Sequence, residues 1–437
     1  MHNLKYAWHF NKPFNSMANG RLIMSKSSWI VLWVAFSAGV IATFIQFSIP
    51  PVLPLLQSQY NVTYTDSALL MSLFALMTLL SAVPGGFIIQ KYGVRFVGLL
   101  GLGILFVGVI CSYFADSFTL LLVSRMVQGI GFGLVSVAAP SAIGQFVSPQ
   151  MMNVSMGIWS TWIPLGSLIM FLFAPYIVSA YQFDTYWGIL IIILIISFIL
   201  YAKFIPRPVY SGDDASEAVT NKLPKNSFKD EMKNKNIWIA AGAFASFTFT
   251  LFSFNTWIST YLVESSSMSL ITAAIVPSII SLFMIGSNLY AGLLLKKFEN
   301  KLVVFLIPPI IMALLWPTFL IDNYLVLYGS AAVLGIIGGF VPTIIFASVP
   351  LLAKRKETIG IAMSIVIIGE NAGILIGPEV FGAVRDYTGN FSTSFWLLLF
   401  VGFITVISAV YIWRSWKFAS EPKQASNSDY IQDENFQ

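Results

Sequence analysis

Once its apolar stretches are threaded through a membrane, all but two of the 24 Lys and Arg residues in this chain fall on one side. The threading uses segments about 20 residues long with few or no charges, each able to cross ~30 Å of hydrocarbon at ~1.5 Å per residue. These are read at 29–52, 67–89, 95–114, 118–146, 153–178, 185–204, 237–262, 268–295, 302–320, 324–351, 358–383 and 392–413. With the N-terminus inside, the inner segments hold every Lys and Arg except Arg125, within span 4, and Arg385, outside. Basic flanks resist translocation, so the bias orients the chain with both termini cytoplasmic. The outer loops instead carry Asp66, Asp116, Asp184, Glu264 and Asp322. The expectation is an integral protein of the cytoplasmic (plasma) membrane, as in a bacterial inner membrane. It sits in the lipid bilayer as a monomer.

Composition narrows the function classes. The chain is 57% hydrophobic and 10% charged, against about 25% charged in an average soluble protein. Its net charge of +5 lies in short inner loops facing anionic lipid headgroups, and no nucleic-acid partner is expected. The single cysteine, Cys111, is within a span, and both histidines, His2 and His9, are in the N-terminal tail. There is no metal-ligand cluster, no nucleophile–His pair and no G-x-x-x-x-G-K-[ST] phosphate loop. Metal sites, nucleophilic catalysis and ATP drive therefore have no carrier residues. No enzyme activity, metal or cofactor is predicted. Basic residues precede the first apolar run as in a signal peptide, but the run is long and lacks a small-residue cleavage site, so it reads as an uncleaved span.

The polarity pattern divides the chain into a tail (1–27), a six-helix bundle (28–204), an inner linker (205–236), a second six-helix bundle (237–416) and a tail (417–437). The linker is rich in Pro, Ser, Asp and Lys, with one short amphipathic helix expected near 228–235. The bundles repeat each other. The segments from Gly86 to Arg95 and from Gly292 to Lys301 follow spans 2 and 8. Each reads as Gly, three apolar residues, a polar residue, Lys, an aromatic, two further residues and a base. At nearly constant separation, Gly129 and Gly133 in span 4 match Gly335 and Gly339 in span 10. Gly157, Gly166 and Pro175 in span 5 match Gly360, Gly369 and Pro378 in span 11, and Gln46 in span 1 matches Asn255 in span 7.

Six plus six spans repeated in parallel across an inner linker is a layout of secondary transporters. Two motifs carry a family resemblance. The Gly86–Arg95 segment resembles the signature loop between spans 2 and 3 of the major facilitator transporters. Arg125-Met-Val-Gln128-Gly129-Ile-Gly131 resembles that family's span-4 motif, R-x-x-Q-G-x-G. The resemblance covers about residues 28–416. It implies an all-α membrane protein with twelve transmembrane helices in two pseudo-symmetric six-helix bundles (the major facilitator fold). It also implies that spans 1, 4, 7 and 10 line the cavity. The loop departs from the family at Gln90, where Asp is usual. That Asp is thought to cap a helix of the other half in one conformational state; Gln90 keeps the hydrogen bonding without the charge.

Several residues are candidates for binding, coupling or gating. Arg125 lies about eight residues into span 4, ~11 Å from the outer face, where a charge costs about 3 kcal/mol on insertion scales. It either binds a substrate anion or tunes a nearby acid, or it is tied structurally to backbone carbonyls and Gln128. Glu370 lies about thirteen residues into span 11, at similar depth. Burial raises a carboxyl pKa and a nearby Arg lowers it, so this residue suits proton uptake and release; the alternative is a protonated Glu bonded between helices, with Asn371 beside it. Gln46 and Asn255 offer amides to a polar solute or act as interhelical glue. Trp159 and Trp162 share a face of span 5 and wall the cavity or face lipid. Pro164 and Gly166 should kink that span. Gly86 and Gly292 allow close helix approach or punctuate loops, and Gly93 belongs to the same loop motif. Lys91, Arg95, Lys297 and Lys301 are topological anchors or closing contacts of an inner gate. Asp66 is expected to cap the start of span 2.

The reading is a secondary active carrier that moves a small solute, an anion among the candidates, by alternating access. A co-transported proton or other ion supplies the drive. The stretch Gly157-Ile-Trp-Ser-Thr-Trp-Ile-Pro164-Leu-Gly166 resembles bacterial carriers near the cyanate-permease group. A drug or metabolite exporter of the same superfamily is the second reading. The third is a non-transporting membrane sensor on the same scaffold, but the polar segments are too short for a signalling domain.

Overall fold

A computed structural model describes residues 26–147, 151–207, 227–297, 301–355 and 358–420. These are almost entirely helical, with no strand among them. Among the described residues, ten stretches are long and apolar enough to cross a membrane. One of them, Val154–Phe204, is broken at Gln182 (φ 66°, ψ 175°) and supplies both spans 5 and 6. The expected span 9 is shorter than the rest. It is α-helical over Lys301–Leu315 and ends in a 3-10 turn, Trp316–Leu320. Pro317 opens that turn and has no N–H to continue the α ladder. With these two adjustments the twelve expected spans are all present.

Span 1 is not the single rod expected over 29–52. Its helix runs Lys26–Gln46, followed by a 3-10 turn, Pro50–Val52, and a separate helix, Leu53–Tyr60. Pro50 is the cause. It cannot offer an N–H to the Gln46 carbonyl one turn earlier, so the break leaves that carbonyl needing another donor.

Spans 2 and 3 run as Tyr64–Tyr113, turned at Gly93 (φ 80°, ψ 162°), a conformation open to glycine and costly for other residues. The cap of span 2 is Thr63, not Asp66. Thr63 Oγ1 accepts the Asp66 N–H at 3.0 Å and donates to its carboxylate at 2.8 Å. Asp66 sits at the third helical position, where its charge still favours the positive end of the helix.

The sequence repeat has a packing form. A methyl group on Gly129 would collide with the Phe74 carbonyl of span 2. One on the matched Gly335 would lie 2.5 Å from the Ile280 carbonyl of span 8. Both halves use the missing side chain to bring the same pair of spans together. Gly166 and Gly369 likewise sit against Thr43 of span 1 and Ala241 of span 7.

The halves meet along spans 5 and 8 and spans 2 and 11. The Ser167 and Ser281 hydroxyls are 2.9 Å apart, Asn288 donates to the Ser160 carbonyl at 3.0 Å, and Ser72 donates to the Leu375 carbonyl at 2.7 Å. The Phe47 and Phe252 rings also meet, 6.1 Å apart, joining the span 1 break to span 7. The short linker helix forms as Ser227–Met232. The buried Glu231 carboxylate accepts from Asn234, Thr358 and the Lys354 N–H, which ties this helix to the loop before span 11.

Candidate functional site

Arg125 is completely buried. Its Nε donates to the Leu70 carbonyl at 2.9 Å. One terminal nitrogen donates to the Ile45 carbonyl at 2.8 Å and to Gln128 Oε1 at 2.7 Å. The other donates to the Gln46 carbonyl at 3.2 Å, with the Met71 sulfur at 3.9 Å. The guanidinium also lies over the Phe74 ring, 4.3 Å from its centroid. A guanidinium has five N–H donors, and each has an acceptor here. Gln128 continues the network, donating to the Gly108 carbonyl and Ser112. Arg125 thus supplies the donor that Pro50 withholds from Gln46, and it binds spans 1, 2 and 4 together, with span 3 joined through Gln128.

Gln46 and Asn255, matched in the repeat, share an unusual state. Both are more than nine-tenths buried, and the side-chain carbonyl oxygen of each is buried without a partner. A buried amide oxygen left unpaired costs about 1–3 kcal/mol. Gln46 ends the span 1 helix, and its neighbour Phe47 touches Phe252, one helical turn from Asn255.

Glu370 is half-buried on span 11, its carbonyl accepting from Thr248. Its carboxylate has no hydrogen bond or ion pair among the described residues, so no Arg125–Glu370 pair exists there. The Asn371 amide returns to the Ile367 carbonyl of its own helix at 2.9 Å. Trp162 is only 9% exposed and belongs to the interior, not the lipid face. It stacks on Trp159 at 4.7 Å and on Phe132 at 5.6 Å. Pro164 coincides with the expected break: a short helix ends at Trp159, and the next begins at Trp162.

The gating candidates divide. Arg95 donates to the Ile205 carbonyl at 2.9 Å and to the Ala202 carbonyl, closing the end of span 6 in its own half. Lys91 is exposed, its ammonium 5.2 Å from the Tyr92 ring centroid. A methyl group at Gly86 would meet nothing within 4 Å. The side chains of Gln90, Lys297 and Lys301 and the surroundings of Gly292 lie outside the described residues.

One cluster has no counterpart in the sequence reading. At the end opposite the basic loops, Asp386 accepts the Tyr64 and Thr65 N–H groups at 3.3 and 2.8 Å and the Thr65 hydroxyl at 2.5 Å. The Tyr64 hydroxyl donates to Glu264 at 2.5 Å, and Arg385 bridges to Glu264 at 3.7 Å. The available signal was Arg385 itself, the lone basic residue on the acidic side.

Across residues 35–361 and 287–432 the chain matches the family model described as Major Facilitator Superfamily. The chain belongs to that superfamily. Among its relatives is a hexuronate transporter of Bacillus subtilis (strain 168), 24% identical over 409 residues, covering 90% of this chain and 95% of that protein. A probable anion transporter of rice is 25% identical over 171 residues, 38% of this chain and 37% of that protein. The fold aligns with the crystal structure of a bacterial homologue of the human lysosomal transporter Spinster, inward-facing and occupied. The TM-score is 0.69 at 13% identity, with 90% of this chain and 97% of the other covered. The unoccupied form gives 0.67 at 15% identity. This superfamily member is an integral membrane transporter.

Proposed function

We propose that this transporter carries a small hydroxylated organic anion together with a proton, by alternating access across the plasma membrane. The observation that carries the reading is the matched pair Gln46 and Asn255, buried amides whose side-chain oxygens lack partners. An amide accepts from a solute hydroxyl and donates to a solute carboxylate, so a hydroxylated acid answers both of its faces. A hexuronate is such an acid, and the B. subtilis relative is named for it.

The charge balance supports the proton. Arg125 has every N–H engaged, so it positions span 1 and leaves no donor for an anion. Glu370 is the mid-span acid without a counterion among the described residues. Moving an anion with a proton avoids carrying net charge through a low-dielectric interior. Glu370 is the group that takes up and releases that proton.

The test is uptake of labelled glucuronate into vesicles containing the purified protein. Accumulation should follow an imposed pH gradient, acid on the side of the solute, and collapse with a protonophore. Equal uptake with and without the gradient would remove the coupling. No uptake of any hydroxylated acid would remove the substrate class.

A further inference from the structure

We infer that Tyr64 is the keystone of an outer gate, clamped by Glu264, Arg385 and Asp386 of the opposite half. Every polar partner of Tyr64 across the halves belongs to the second half. Its N–H is accepted by Asp386, its hydroxyl donates to Glu264, and that hydroxyl accepts from Arg385 at 3.3 Å. Its ring meets Trp257 at 5.5 Å and Phe391 at 5.6 Å. The Arg385 guanidinium lies over both the Tyr64 and Phe391 rings, at 4.5 and 5.0 Å. Asp386 occupies the positive end of the span 2 helix and answers N–H groups that have no intrahelical partner. One residue of the first half is thus held by backbone, hydroxyl and ring at once.

This assignment explains two otherwise isolated facts. Arg385 is the single basic residue on the outer side, against the bias that orients the chain, and it is the centre of this cluster. Gly382 lies one turn before Asp386, where a methyl group would stand 2.9 Å from both the Tyr64 carbonyl and the Trp257 ring. The absence of a side chain there is what lets the two halves close.

The inference rests on the proposed orientation and alternating access, but its test needs no solute. Ser72 is buried on span 2, about two turns below Tyr64 and bonded across the halves to Leu375. In a Cys111→Ser background, Ser72→Cys should react slowly with a membrane-impermeant maleimide applied from outside. Arg385→Gln should raise that rate roughly tenfold, and Tyr64→Phe, which keeps the ring, roughly threefold. Gly382→Val should act in the same direction by wedging the contact open. Unchanged labelling in folded Arg385→Gln protein overturns the gate; if that variant does not fold, Tyr64→Phe decides by the same criterion. Absent glucuronate uptake with faster labelling would sink the proposed substrate and leave the gate. Intact uptake with unchanged labelling would sink the gate alone.

Discussion

The Ser160 carbonyl accepts the Asn288 amide across the two halves at 3.0 Å because Pro164, one turn further on, has no N–H to take it. The proline therefore makes an interaction as well as a bend. In Pro164→Ala the new N–H competes for that carbonyl within its own helix. Asn288→Ala should then cost less stability than in the parent. A double-mutant cycle of melting temperatures in detergent should give a coupling of about 1 kcal/mol, and additive effects would show that the amide contributes nothing.

Arg125→Ala removes five donors from buried acceptors. The expected loss is about 3 kcal/mol or more, read as a marked fall in melting temperature or a failure to purify. Arg125→Lys keeps the charge with three donors and should fall between. If solute affinity in the Lys variant dropped while the melting temperature held, Arg125 would be a ligand of the solute and not a tie between helices.

Gln46→Leu and Asn255→Leu should separate stability from binding in the opposite sense. Each removes an unpaired buried oxygen, so the free energy of unfolding should stay level or rise by up to about 1 kcal/mol, read as a level or higher melting temperature. Solute KM should rise at least tenfold, since a site built on polar groups rejects what it cannot pair. A fall in stability with unchanged KM would make the amides structural.

Glu370→Gln should abolish accumulation driven by a pH gradient while sparing solute exchange across the membrane without one. The amide is nearly isosteric and cannot carry the proton. Vesicle counterflow measured beside gradient-driven uptake distinguishes the two, and loss of both would assign Glu370 to binding instead.

Much of this fold was legible because hydropathy is a local signal and the two bundles repeat each other's Gly positions. Gly129 and Gly335, matched in the repeat, pack alike against spans 2 and 8. The span 1 break was hidden for a physical reason. Residues 47–52 are mostly apolar, so hydropathy runs through them, and only the Pro50-Pro51 pair marks the end of the hydrogen-bond ladder. The partners of Arg125 were hidden more deeply. Most are backbone carbonyls, which carry no residue signature; only Gln128, one turn away on the same helix, could be named. The Tyr64 cluster joins residues more than three hundred positions apart, and its one sequence trace was a cation on the wrong side.

The polar tie around Arg125 has no twin. In the register that aligns Gly129 with Gly335, the places of Arg125 and Gln128 are taken in the second bundle by Ala331 and Leu334, both fully buried. Four spans of the first bundle are riveted through their interior by a buried cation, whereas the second has no charge at the matched place and is joined there by neutral contacts such as the Thr318–Ser330 hydroxyl pair, 2.7 Å apart. The two bundles, alike in outline, are pinned by different chemistry, and the first should yield to strain later than the second.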